Sequence, residues 1–430
     1  MARTRTTAVA LLTGASALSA MANSGAAVAA TIVLRPEERG VMVLVSSLSA
    51  LVALVGPLGT GTALRSQLPR VDSDRHRISL LASYLWVTVG AAVVGAAVAT
   101  VAVRLSAPAI DASLADLRLL VAVAVSTLAQ ILLLQSNELA FAVGDFQRGA
   151  AWNVASVIAG LAGLLIAVAI SAQAWLLLLL QGTGLLGASL ARWLALRRRG
   201  LIRLAAPSRR MQLALFRQGV PSLGLNIGLV LAQRADRYIL GIVAGTAAVG
   251  IYSLAATLSG VASLVPLAIG QLSMRDAATR SLPTWPGGQV RAAVASAALT
   301  SVAVAIGGWL LVIPIFGQDF APARHLIVPL LVAEICLAPY WVAARALVGG
   351  GWSRTAAMIG VANAVGATAL YGVAIPIWGM VGAAAASSVL YGGLSLLTMV
   401  LLSRRLRGHA APLPGITEGI TMADRVPSTR

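Results

Sequence analysis

Lysine is absent from all 430 residues, so each of the 32 basic side chains is an arginine. With an alanine-rich chain and 42 glycines beside it, this absence reads as GC-rich coding rather than selection against lysine for a purpose. The single cysteine, Cys336, sits in an apolar run, which excludes a disulfide framework and a thiolate metal centre. The three histidines, His76, His325 and His409, are scattered, and no HExxH, CxxC, Walker loop or nucleophile elbow occurs. Charged residues make up only 11% of the chain, where a soluble domain carries about a quarter. Loops between apolar runs stay below roughly 25 residues, leaving no room for an extramembrane catalytic or nucleotide-driven domain. An enzyme, a cofactor and a metal centre are therefore not expected.

Apolar residues are plentiful: 58% of the chain is hydrophobic, and the mean hydropathy is +0.88. A spanning helix needs about 20 apolar residues. Runs of that length fall at 7–34, 41–64, 79–103, 119–140, 151–171, 174–196, 219–241, 250–272, 292–315, 325–347, 355–376 and 380–402. The first begins like a secretory signal and passes a cleavage-like Ser19-Ala-Met-Ala22. Its apolar character runs on to Leu34, too long for a signal core, so it is read as a retained helix. The expected fold is all-α and polytopic, with about 12 transmembrane helices.

Net charge is +18. No soluble basic region exists to carry nucleic acid, so the charge points to membrane lipid headgroups or an anionic cargo. With twelve spans and a cytoplasmic N-terminus, 25 arginines fall on the cytoplasmic side. Five (Arg35, Arg39, Arg104, Arg118 and Arg324) fall outside, and Arg234 and Arg237 remain within a span. The positive-inside rule then places both termini in the cytoplasm of a plasma-membrane protein.

An internal repeat is visible. Gly40-Val-Met-Val-Leu-Val-Ser-Ser-Leu-Ser aligns with Gly250-Ile-Tyr-Ser-Leu-Ala-Ala-Thr-Leu-Ser, and Gly144-Asp-Phe-Gln-Arg-Gly-Ala-Ala with Gly350-Gly-Trp-Ser-Arg-Thr-Ala-Ala. Two six-helix halves of the same orientation follow, a parallel repeat about the membrane normal. The halves are drawn at 1–204 and 205–406, with 407–430 as a disordered cytoplasmic tail. The joint at 197–217 is basic and amphipathic, suited to lying along the membrane surface.

Polar groups inside spans are costly and face protein or water. At 100° per residue, Ser222, Asn226, Gln233 and Arg237 share one stripe of the seventh span, flanked by Arg234 and Asp236. The repeat makes Ser16 and Asn23 the equivalents of Asn226 and Gln233. Glu334 lies mid-span between Pro329 and Pro339, placed to carry a coupling ion together with Asp236 or to bond a freed carbonyl. Glu138, beside Asn137, is read as interfacial.

The run Gln233-Arg-Ala-Asp-Arg-Tyr-Ile-Leu-Gly241, its following turn and Ile251-Tyr-Ser-Leu-Ala255 resemble the seventh and eighth spans of Wzx-type oligosaccharide flippases. Phe316-Gly-Gln-Asp-Phe320, Gly351-Trp-Ser-Arg354 and Ile375-Pro-Ile-Trp-Gly-Met-Val-Gly382 fit the same pattern. That family belongs to the superfamily of multidrug (MATE) exporters and the lipid II flippase. The resemblance implies two pseudo-symmetric lobes around a V-shaped cleft, alternating access, and a polyprenyl-pyrophosphate-linked saccharide as cargo. It also implies an acidic–basic pair at Asp236 and Arg237, and leaves room for a coupling proton or sodium ion. The expected cargo site is Arg237, Arg234, Asp236, Gln233, Asn226 and Asn23. The alternative is a MATE-like exporter of organic cations, which needs a carboxylate deep in the cleft. A membrane polymerase or ligase would need a large outer loop.

Overall fold

The computed structural model describes residues 25–71, 73–202, 205–220, 223–279 and 284–410. The expected first span up to residue 24, Asn23 and residues 411–430 of the expected tail lie outside them, while 407–410, expected as disordered tail, continue the last helix. The described chain is helical from end to end. It contains α1 (25–33), α2 (Pro36–Val55), α3 (Thr60–Gln67), α4 (Asp74–Ile110), α5 (Leu117–Val143), α6 (Phe146–Ile170) and α7 (Ala174–Arg198). Then follow α8 (Arg209–Gly219), α9 (Leu223–Ser259), α10 (Leu264–Thr279), α11 (Gly287–Phe316), α12 (Ala323–Gly349) and α13 (Ser353–Ala410).

Local chemistry sets the boundaries. Pro36 opens α2, where its missing N–H costs nothing. Asp116 caps α5 by accepting the Arg118 N–H at 3.0 Å. Gly144, at φ 79°, ends that helix while the Asp145 N–H returns to the Ala140 carbonyl.

Among the described residues, nine helical stretches are long and apolar enough to cross a membrane. Two of them fold back on themselves at a glycine of positive φ, Gly245 (78°) in α9 and Gly379 (55°) in α13. In a straight helix, residues 16 apart stand about 24 Å away from each other. Here the Tyr252 hydroxyl reaches Asp236 at 2.7 Å, and Tyr371 meets Ser387 at 2.9 Å. Each stretch is thus two antiparallel spans. The described residues thus hold eleven of the twelve expected spans, and α1 is the described end of the first.

The repeat survives in three dimensions. Gly245 less 210 residues falls on Arg35, at the break between α1 and α2. Gly379 less 206 falls on Gln173, between α6 and α7. Alanine and glycine line the helix contacts, as they do where packing rather than hydrophobicity holds spans together. Many large apolar side chains also face outward: Leu299 is 75% and Leu105 73% exposed, a surface suited to acyl chains.

Each half has its own cores, and the two meet along α2 and α9. The equivalent glycines Gly40 and Gly250 face each other at this crossing. A methyl on Gly40 would stand 1.8 Å from the Thr246 carbonyl oxygen, and one on Gly250 would stand 1.9 Å from that of Pro36. Nearby, the Tyr238 hydroxyl donates to the Leu44 carbonyl at 2.7 Å. The Thr246 hydroxyl donates to Asp111 at 3.1 Å. All these contacts lie toward the arginine-poor end of the bundle, so the halves converge there. The basic joint contains α8, which packs on α3 and α4 through Gln218, a donor to Ser66 and a partner of Gln67. The boundary drawn at 204/205 thus precedes a helix that packs with the first half.

Two outcomes test this convergence. Gly40→Val must push the halves apart, at a cost of about 1–3 kcal/mol. It is expected to lower the midpoint of thermal unfolding, and an unchanged midpoint would show that the crossing is not tight. Asp111 is held below the usual carboxylate range, first by the Ser113 backbone N–H and also by the Thr246 hydroxyl. A depressed folded value makes its contribution complete above the ordinary value of 3.8, and that contribution is lost as pH falls through the lower folded value. Thr246→Val should therefore destabilise the protein at neutral pH, with a gap from wild type that narrows in acid; a pH-independent gap would contradict the assignment.

Candidate functional site

Between the halves lies a cavity of about 880 Å³. It is closed at the arginine-poor end by the α2–α9 crossing. It reaches Asn137 and Asn153, which stand about 10 Å from the opposite helix ends at 1.5 Å per residue.

Three guanidinium groups line it. Arg39 comes from the first turn of α2, and Arg234 and Arg237 from the outer half of the first α9 arm. Arg234 donates to the Ser47 hydroxyl at 2.9 Å, and Arg237 approaches the same oxygen at 3.4 Å, so both reach across to the other half. Among the described residues, none of the three has a carboxylate oxygen within 4.0 Å. The Nε atoms of Arg39 and Arg237 are buried without a partner. Three cations inside a membrane bundle with no direct ion pair are tolerable where water or an anion meets them.

The first half supplies a wall of different chemistry. Gln130 and Asn137 of α5, Asn153 of α6 and Gln181 of α7 line the cavity together with Ser126 and Ser156. Asn137 donates to Asn153 at 3.4 Å and accepts from the buried Arg192.

A second, smaller pocket of about 190 Å³ lies within the second half. Gln233, Asp236, Glu334, Tyr252, Ser259, Ser387 and Tyr391 line it, as do Arg234 and Arg237. Asp236 accepts the Tyr252 hydroxyl at 2.7 Å and the Arg237 backbone N–H at 2.8 Å. Glu334 accepts from the Ser263 hydroxyl. The two carboxylates thus share one pocket, and the two arginines form part of the wall between it and the main cavity.

Of the residues singled out in the sequence, Arg234 and Arg237 line the main cavity. Gln233, Asp236 and Glu334 line the smaller pocket instead. The Asp236 carboxylate bonds the backbone of Arg237 and not its guanidinium, so the implied acidic–basic pair is not an ion pair here. The Asn226 side chain and Asn23 lie outside what is described. Glu138, read as interfacial, is paired with Arg65 at 2.5 and 2.7 Å. Sequence reasoning missed Arg39, which is only 3% exposed although its position is that of a flanking topogenic arginine. It also missed Gln130 and Gln181, single carboxamides in apolar runs whose only signal was polarity at mid-span.

A family model described as "Polysaccharide biosynthesis protein" matches residues 6–274. No curated protein is detectably similar in sequence. Among solved structures, an inward-facing multidrug resistance MATE family transporter of the MOP superfamily superposes with a TM-score of 0.70 at 14% identity, covering 91% of this chain and 96% of its own. The lipid II flippase MurJ in an inward closed conformation gives 0.70 at 11% identity, covering 92% and 87%. A MOP superfamily transporter from Pyrococcus furiosus, noted for the reverse polarity of its binding pocket, gives 0.58 at 13% identity, covering 94% and 96%. The fold is therefore that of MOP superfamily transporters, and its neighbours are transporters and flippases rather than enzymes.

Proposed function

The chain belongs to the polysaccharide biosynthesis protein family, and from that premise we propose that it is a flippase for a polyprenyl-pyrophosphate-linked saccharide. It carries this cargo across the plasma membrane, from the cytoplasmic to the outer leaflet, for surface polysaccharide biosynthesis. The observation that carries the reading is the set of three guanidiniums, Arg39, Arg234 and Arg237, that line one cavity with no carboxylate in its described lining and no direct ion pair among the described residues.

A pyrophosphate suits this arrangement. Guanidinium is planar, always charged, and offers paired donors to phosphate oxygens. A saccharide head cannot cross hydrocarbon unsolvated, so it needs a hydrated cleft, while the polyprenyl tail remains in lipid. The contacts between halves lie at the arginine-poor end. By the positive-inside rule that end is outer and both termini are cytoplasmic, so the observed state is closed to the outside. Alternating access then requires the α2–α9 crossing to part and the opposite ends to close. An organic cation would meet three positive groups in this cavity, which disfavours the MATE-like reading.

The carboxylate pocket supplies the coupling. Asp236 and Glu334 take up a proton or sodium ion, and Arg234 and Arg237 transmit its occupancy to the cargo cavity because they line both spaces.

Charge-assisted hydrogen bonds contribute about 1.5–3 kcal/mol each. Arg237→Ala and Arg39→Ala are therefore each expected to weaken the binding of a bare polyprenyl pyrophosphate to the purified protein by about tenfold or more. Glu334→Gln should leave that binding in place and remove the dependence of transport on pH or sodium. Unaltered affinity in both arginine variants would overturn the cargo assignment.

A further inference from the structure

We propose that the first-half wall of the cavity is the saccharide subsite, built from the carboxamides of Gln130, Asn137, Asn153 and Gln181. This rests on the reading that the pyrophosphate sits among the arginines.

Gln130 and Gln181 are half-buried and line the cavity, and their side chains make no hydrogen bond to any other described residue. A polar amide within a span is costly unless something wet or polar meets it. Both therefore present a free donor and a free acceptor to the cavity. Asn137 and Asn153 differ in being held: they bond each other, and Arg192, 1% exposed, fixes the Asn137 oxygen from behind. The wall thus combines two positioned amides with two that can turn toward a guest.

The chemistry of this wall selects a class of ligand. A carboxamide donates and accepts at adjacent atoms, which matches neighbouring sugar hydroxyls or an N-acetyl group. It carries no charge, so it adds nothing to the hold on pyrophosphate. No carboxylate lines the cavity among the described residues, so an unacetylated amino sugar would find no counter-charge there. Nor does an aromatic ring line it among them. The hold on each sugar is hence by hydrogen bonds without a stacking platform, weak enough to release the cargo after each crossing. The subsite takes a short glycan of neutral or N-acetylated sugars: the whole cavity, at about 880 Å³, is of the size that binds one compact ligand and not a polymer.

The division between halves has a consequence. The carboxamides belong to α5, α6 and α7, whereas two of the three arginines belong to α9. One cargo molecule then touches both halves at once, sugar on the first and pyrophosphate mainly on the second.

The test compares binding of two probes to the purified full-length protein: polyprenyl pyrophosphate alone, and the same lipid carrying a neutral disaccharide. The wild type should bind the glycosylated lipid more tightly. The double variant Gln130→Ala/Gln181→Ala should lose about tenfold for the glycosylated lipid and stay within about twofold for the bare one. Retained binding of the bare lipid also shows that the variant is folded. If both affinities fall together, or neither changes, the saccharide subsite is wrong while the pyrophosphate reading stands. If the wild type binds neither probe, the underlying flippase reading fails and this inference fails with it.

Discussion

A guanidinium inside a bilayer cannot be neutralised at any accessible pH, and it is stable only beside a carboxylate, water or an incoming anion. Arg39, Arg234 and Arg237 make no direct ion pair among the described residues and share one cavity, whose described lining holds no carboxylate. That constraint accounts for much else. It requires the space between the halves to be hydrated. It explains why Ser47 stands where two of the arginines can reach it. It also supports the anionic cargo proposed above, since a cavity lined by arginines draws anions and repels cations. The carboxylates that a cation exporter would need are present, but Asp236 and Glu334 are withdrawn into a separate pocket.

The second determinant is how closely the two halves approach. Equivalent glycines at Gly40 and Gly250 let backbone meet backbone at the arginine-poor end. Leu44 and Ile110 also pack there against the second half, and the Thr246 hydroxyl bonds Asp111. The sharp turns at Gly245 and Gly379 make the long apolar stretches into hairpins whose arms bond each other across the fold.

The overall plan was readable because it depends on length and periodicity. Apolar runs gave the spans, and the offset of about 210 residues placed the break between α1 and α2 opposite the turn at Gly245; the arginine counts supply an orientation as an expectation. Of the stripe on the seventh span, Arg237 lines the main cavity while Gln233 lines only the smaller pocket, and Ser222 and the Asn226 side chain lie outside what is described. What stayed hidden depends on rotation and neighbours. Asp236 and Arg237 are adjacent in sequence, yet the carboxylate turns to Tyr252 and the guanidinium to the cavity, which no linear pattern specifies. Arg39 sits three residues past Pro36, where a snorkelling arginine and a buried one look alike in sequence. Gln130 and Gln181 are isolated neutral groups without a charge or period to mark them. The joint helix α8 was seen as amphipathic, but which half covers its apolar face is a matter of packing.

The central claim is that a positively charged, water-filled passage between two like halves carries a lipid-linked anion through the bilayer. The most direct measurement reconstitutes the protein in liposomes that hold a fluorescent polyprenyl-pyrophosphate saccharide in both leaflets. A membrane-impermeant quencher is then added outside. The account predicts that fluorescence falls past the half protected in protein-free vesicles, and that Arg237→Ala slows this second phase. Protection fixed at one half in active protein, together with uptake of a cationic dye by the same vesicles, would contradict it.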